Sequence, residues 1–217
     1  SYAVASIGDY AFDGCSDLTS VTIPNSVTSI GYGAFWRCSG LTSVHISDIA
    51  AWCKIDFGDN LSNPLNHAEH LFLDGEEIKD LVIPDDVTSI GWCAFSGCSS
   101  LTSVTIGNSV EIIGSSAFED CSGLTSVVIP NSVEIIGSSA FEYCSGLTSV
   151  VTPNSVEIIG YSAFLGCSGL TSIEVDDTNE KYDSRDNCNA IIETKTNTLI
   201  VGCKSTVIPN SVTSIDS

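Results

Sequence analysis

One phrase recurs along this chain at a fixed step. Cys15, Cys38, Cys98, Cys121, Cys144 and Cys167 each open nearly the same run, C-S-(G/D/S)-L-T-S-(V/I). Four of the five intervals between them are 23 residues, and the fifth, from Cys38 to Cys98, is 60 and holds an insertion. A period of roughly 20–29 residues with apolar marks at L-x-x-V-x-I specifies the stacked coils of a leucine-rich solenoid, because one such unit cannot bury its apolar face alone.

Aligned on the first leucine, the regular coils run 18–40, 78–100, 101–123, 124–146 and 147–169. Coils 41–77 and 170–202 are longer, and a partial coil starts at Cys203. In Leu124-Thr125-Ser126-Val127-Val128-Ile129-Pro130, Val127 and Ile129 alternate inward while Val128, Thr22, Thr105 and Val151 point outward, the period-2 mark of a strand. Pro130 lacks an N–H for the ladder and ends that strand. The Ala-Phe pair ending at Phe12, Phe35, Phe95, Phe118, Phe141 and Phe164 predicts a phenylalanine spine running from coil to coil.

Two coils depart from the rule. Gly107 stands where the strand-ending proline belongs, and Thr152 occupies an inward apolar position. A buried threonine hydroxyl must find a partner or cost roughly 1–3 kcal/mol. Each expanded coil is expected to insert a hairpin before the next repeat strand. In the first, Asp74-Gly75 is a strong turn cue between Leu71–Leu73 and Ile78. In the second, Ala190–Ile192 and Leu199–Val201 flank the loop 193–198. Ser47 is placed to cap a short helix at Ile49–Trp52.

The predicted fold is therefore a β-rich leucine-rich-repeat solenoid forming one domain over residues 1–217. It is a curved, right-handed stack of ~23-residue coils. A parallel sheet lines one face, short strands and turns line the other, and the two expanded coils carry hairpins.

The formal charge is −20 with only seven Lys and Arg. Phosphate neutralisation needs basic residues, so nucleic acid and anionic membrane are poor partners. No run approaches the ~18 apolar residues of a membrane span, so direct membrane insertion is not expected, and no signal peptide is present. The chain opens and closes partway through repeats, which reads as an excised or processed segment with any secretion signal or anchor outside it.

The consensus I-P-N-S-V-T-S-I-G-x-x-A-F-x-x-C-S-x-L-T-S-V resembles the BspA-like leucine-rich repeat family of bacterial and protist surface proteins. The likeness covers nearly the whole chain. The runs Ile49-Ala50-Ala51-Trp52-Cys53 and Asn187–Thr194 resemble recurrent variants within that family. The resemblance implies an extracellular, non-catalytic solenoid, with some relatives acting as adhesins. It implies no ligand, because the motif residues are structural.

Six thiols spaced one per coil spread along a line, whereas zinc needs ligands converging on a point. Buried thiols of this kind behave as small hydrophobes. Cys188 and Cys203 differ, because a second hairpin whose paired residue numbers sum to 391 sets them face to face as a candidate disulfide. His67-Ala68-Glu69-His70, with His45 nearby, lacks the H-E-x-x-H spacing and reads as solvated loop. Glu111, Glu134 and Glu157 form one acidic column and Glu119 and Glu142 another. They read as solvated surface, with weak Ca²⁺ binding as the alternative. No G-x-S-x-G elbow exists. No catalytic residue, metal or cofactor is expected.

Three readings of function follow. The first is protein binding or adhesion at a cell surface, to a protein or glycan on a host or neighbouring cell, by a monomer. The sheet face is polar and monotonous, whereas binding hot spots favour Trp, Tyr and Arg. Tyr32, Trp36, Arg37, His45 and Trp92, around the first expanded coil, are therefore the candidate partner-binding residues. Trp52 is expected to pack the insertion instead. The second reading is a passive spacer presenting another domain, and the third, an enzyme, has no positive feature behind it.

Overall fold

Alternation within each L-T-S-V-x-I phrase makes it a strand, and the constant step sets identical strands side by side. The computed structural model describes residues 3–216. Its pairing is parallel and follows the repeat, with Ser103 beside Ser126 and Val104 beside Val127, and Ser149 beside Ser172. The front sheet falls into three ladders. The first holds Ser20–Thr22, Ser43–Ile46 and Leu71–Leu73, edged by Glu76–Glu77. The second holds Asp80–Val82, Ser103–Thr105 and Ser126–Val128, and the third Ser149–Thr152 and Ser172–Val175. Rear ladders of two-residue strands stack like on like, as in Ile112, Ile135 and Ile158.

The Ala-Phe turn builds a further ladder. The N–H groups of Phe12, Phe95, Phe118 and Phe141 each donate to the alanine carbonyl one coil on, at 2.8 Å. Their rings stack in pairs at 5.0 to 5.4 Å and within 7° of parallel. The cysteine column adds a cross-link to this spine. The thiols of Cys38, Cys121, Cys144 and Cys167 donate to the phenylalanine carbonyl of the preceding coil at 3.1–3.2 Å. One apolar cluster runs from Ile23 to Ile191, so coil-to-coil contact carries the stability.

The departures have physical consequences. Gly107 approaches the preceding coil so closely that a Cβ would sit 2.6 Å from the carbonyl oxygen of Pro84, so that position accepts no side chain. Thr152 is fully buried and its hydroxyl has no partner. Its counterparts Ile23, Ile83 and Ile106 are buried hydrocarbon.

The first expanded coil is spliced into the array by side chains. Its helix, Ile49–Trp52, is capped by Asp48 and not by Ser47, because the Asp48 carboxylate reaches the N–H of Ala51 at 2.9 Å. Trp52 is buried, and its indole N–H donates to the carbonyl of Ala94 at 2.7 Å. Asn63 donates to Cys93 and Ala94. In regular coils a phenylalanine N–H from the preceding coil meets that alanine carbonyl, so Trp52 and Asn63 replace a missing rung. The Asp74-Gly75 hairpin forms as expected, with Phe72 opposite Glu77. Its first strand also pairs in parallel with Ser43–Ile46 and adds a rung to the front sheet.

The second hairpin corrects the disulfide expectation. Ile192 does face Leu199, but the register shifts between Ile191 and Ile192, so Ile191 faces Val201 and Ala190 faces Gly202. That one-residue bulge breaks the 391 rule, so the two cysteines are not set directly opposite each other. Cys188 is buried in a small cluster with Ala190, Ile192 and Leu199, whereas Cys203 packs on the main core. Both are free thiols.

Candidate functional site

The surface that stands out from the repeats is an aromatic cluster over the first coils. Tyr32 and Trp36 lie on the Ala-Phe turn of coil 18–40, and Tyr10 comes from the turn one coil earlier. Tyr10 packs edge-on to Tyr32 at 5.7 Å between ring centres and tilts against Trp36 at 6.4 Å. Arg37 lies over the Trp36 ring at 4.6 Å. All three aromatics stay open to solvent, at 47% for Tyr10, 52% for Tyr32 and 41% for Trp36.

Backbone geometry makes the cluster possible. Tyr10 sits at a left-handed φ of 55°, at the column position that Gly33 fills one coil later. A Cβ on Gly33 would come 2.8 Å from the Tyr10 ring. The absence of a side chain there lets the ring lie across the neighbouring coil.

Carboxylates surround the rings. Asp9 accepts from the N–H of Tyr32 at 2.8 Å and Asp59 from that of Gly33 at 3.0 Å. Asp13 holds Arg37 through two hydrogen bonds, at 3.0 and 2.8 Å. Arg37's donation lowers the Asp13 carboxyl below its ordinary range. The Tyr10 hydroxyl is pushed above its usual value, first by partial removal from water, then by Tyr32, Asp59, Asp9 and Asp13. The patch thus combines exposed ring surface with three carboxylates and one guanidinium.

Of the five candidate residues, Tyr32, Trp36 and Arg37 come together. Trp92 stays exposed in the Tyr32 column, but the Asp56–Phe57 strand pairs with Ser29–Ile30 and intervenes. Trp92 is therefore on the far side of the first expanded coil from the cluster. His45 points from the front sheet, stacked on Phe72 at 4.7 Å and 3.2 Å from Ser43 Oγ. Tyr10 was missed by sequence reasoning. Its signal was a tyrosine in the column where the next coil has glycine.

His70 is exposed as expected, whereas His67 and His45 are half-buried. His70 pairs with Glu77 at 2.6 Å, and the buried Nε2 of His67 has no partner. Glu111, Glu134 and Glu157 are exposed and Glu119 and Glu142 half-buried. Among the described residues no group of three or more His, Cys, Asp or Glu converges where a metal ion could sit.

Parallel ladders, a stacked phenylalanine spine and one buried thiol per coil define a leucine-rich-repeat β-solenoid. The chain belongs to the BspA type leucine rich repeat family, whose repeat region matches in six copies over residues 1–56 and 68–193. The gap at 57–67 lies in the first insertion, and residues 194–217 are also unmatched. A leucine rich cell surface protein from Faecalibacterium prausnitzii A2-165 is 28% identical, with a TM-score of 0.62, over 99% of this chain. The chain spans 61% of that protein's solved length. A leucine-rich repeat protein from Bacteroides ovatus ATCC 8483 is 30% identical over 78% of this chain and 48% of its own, with a TM-score of 0.47. No curated protein matches the chain. No helix among the described residues is long and apolar enough to cross a membrane.

Proposed function

We propose that this chain is a non-catalytic, extracellular repeat scaffold that binds a protein partner at the cell surface through Tyr10, Tyr32, Trp36 and Arg37. The observation that carries this reading is the ring cluster itself. Three aromatics left open in mutual contact, beside an arginine, supply the residue types that dominate binding energy. Trp92, Tyr143 and Tyr161 are exposed on other coils, whereas this group joins three rings and an arginine in mutual contact.

Surface location is supported by the family and by the Faecalibacterium relative, itself a cell surface protein. The non-catalytic reading is supported by how the hydroxyls are used. Ser132 and Ser155 donate to carbonyls of neighbouring coils. Ser43 meets His45 on the sheet, where Phe72 stacks on the imidazole and no carboxylate among the described residues orients it.

The test is capture of purified extracellular-matrix and cell-surface proteins by wild type, Trp36→Ala and Trp92→Ala, with folding followed by circular dichroism. Loss of capture in Trp36→Ala, with the fold intact and Trp92→Ala nearer to wild type, is expected. Full retention in both would favour a passive spacer that presents another domain.

A further inference from the structure

Resting on that partner-binding reading, we propose that the Tyr10–Tyr32–Trp36 surface recognises an arginine-rich segment of its partner. The molecule already contains one instance of the interaction. Arg37 lies over Trp36 while Asp13 grips its guanidinium through two bonds. Cations are drawn to ring faces within about 6 Å of the centroid, and arginine adds a planar fork that stacks and pairs with carboxylates together.

The rest of the patch offers the same components to an incoming chain. Tyr10 and Tyr32 expose about half their surface. Asp9 and Asp59, fixed by backbone N–H groups of coil 18–40, flank the rings. With Asp13 they leave the patch net negative after Arg37 is counted. The whole chain, patch included, carries −20, a field that draws basic segments in and repels acidic ones. A neutral sugar would stack on the rings and donate hydroxyls to the carboxylates, but it would gain nothing from the net charge.

Gly33 gives a variant that removes the arrangement without unfolding the coil. The equivalent left-handed positions carry Ser116, Ser139 and Ser162 at φ 54–57°, and Gly33 lies at 57°. Gly33→Ser is therefore conformationally acceptable, yet its Cβ displaces the Tyr10 ring.

The experiment titrates an eight-residue arginine peptide and a neutral hexasaccharide, following tryptophan fluorescence and calorimetric heat. Wild type is compared with Gly33→Ser, Tyr32→Ala/Trp36→Ala, and a distant charge control, Glu134→Gln/Glu157→Gln. Peptide binding should weaken about tenfold in the aromatic double variant and clearly in Gly33→Ser, both at unchanged charge, while the control stays near wild type. Equal binding by the aromatic variants, with loss tracking net charge, would overturn the inference, as would binding of the sugar alone. If Trp36 is required for cell-surface capture but excess arginine peptide fails to compete, arginine recognition is wrong and the partner-binding reading stands. If capture is insensitive to Trp36, that reading falls first.

Discussion

At Thr152 the repeat buries a hydroxyl where its neighbours bury hydrocarbon, and no acceptor meets it. Thr152→Val keeps the shape and removes the unsatisfied group, and should stabilise the protein by about 1–3 kcal/mol; an unchanged or lower melting temperature would count against the placement. Thiol chemistry divides in the same residue-by-residue way. Burial pushes Cys98 and Cys167 up to about 12 and Cys121 well above its ordinary value. Partial burial acts the same way on Cys203, but hydrogen bonds from Ser205 and Thr206 outweigh it and lower that thiol. A thiol reagent on native protein at pH 8 should therefore label Cys203 and the exposed Cys15, and label the column only on unfolding, as peptide mass mapping would show. The column's inertness was legible in its spacing. The register bulge that separates Cys188 from Cys203 was not, because alternation alone does not reveal where a strand takes up an extra residue.

Elements obey rules that the sequence states only in part. Each regular coil passes through two left-handed residues flanking Ala-Phe, as at Ser116 and Asp120 with φ 54° and 59°. Non-glycine residues pay roughly 1–2 kcal/mol for this conformation, so Asp120→Gly should raise stability by about 1 kcal/mol in urea unfolding. Trp52 closes the ladder over the first insertion with its indole N–H. Trp52→Phe keeps most of the packing but leaves the Ala94 carbonyl only the longer bond from Asn63, at 3.3 Å, and should cost about 0.5–1.5 kcal/mol. The cysteine column also sets a pH response. Its thiols are neutral when folded and ionise more readily when unfolded, so their contribution is complete below pH 9.0, the ordinary thiol value, and is lost as pH rises towards about 12. Melting temperature should fall above pH 9, and less steeply in Cys98→Ala/Cys167→Ala. The Asp-Gly hairpin was readable because its turn chemistry is local. The rung that Leu71–Leu73 adds to the front sheet was not, since it depends on pairing with Ser43–Ile46, far away in sequence.

On the scale of the whole molecule, the repeat provides a rigid line and the breaks in it provide individuality. The solenoid, its spine and its core columns followed from the 23-residue period. The site was half visible, because sequence shows which coil carries aromatics but not which face each one takes. His45 went to the sheet, Trp92 lies beyond the first expanded coil, and Tyr10 joined across a glycine. The central claim is that partners dock on the Tyr10–Tyr32–Trp36 turn face and that the polar sheet is scaffold. Hydrogen–deuterium exchange of the chain with and without its captured partner tests this directly. The account expects new protection in residues 8–13 and 30–37, with the front strands Ser103–Thr105 and Ser126–Val128 unchanged; protection confined to those strands would contradict it.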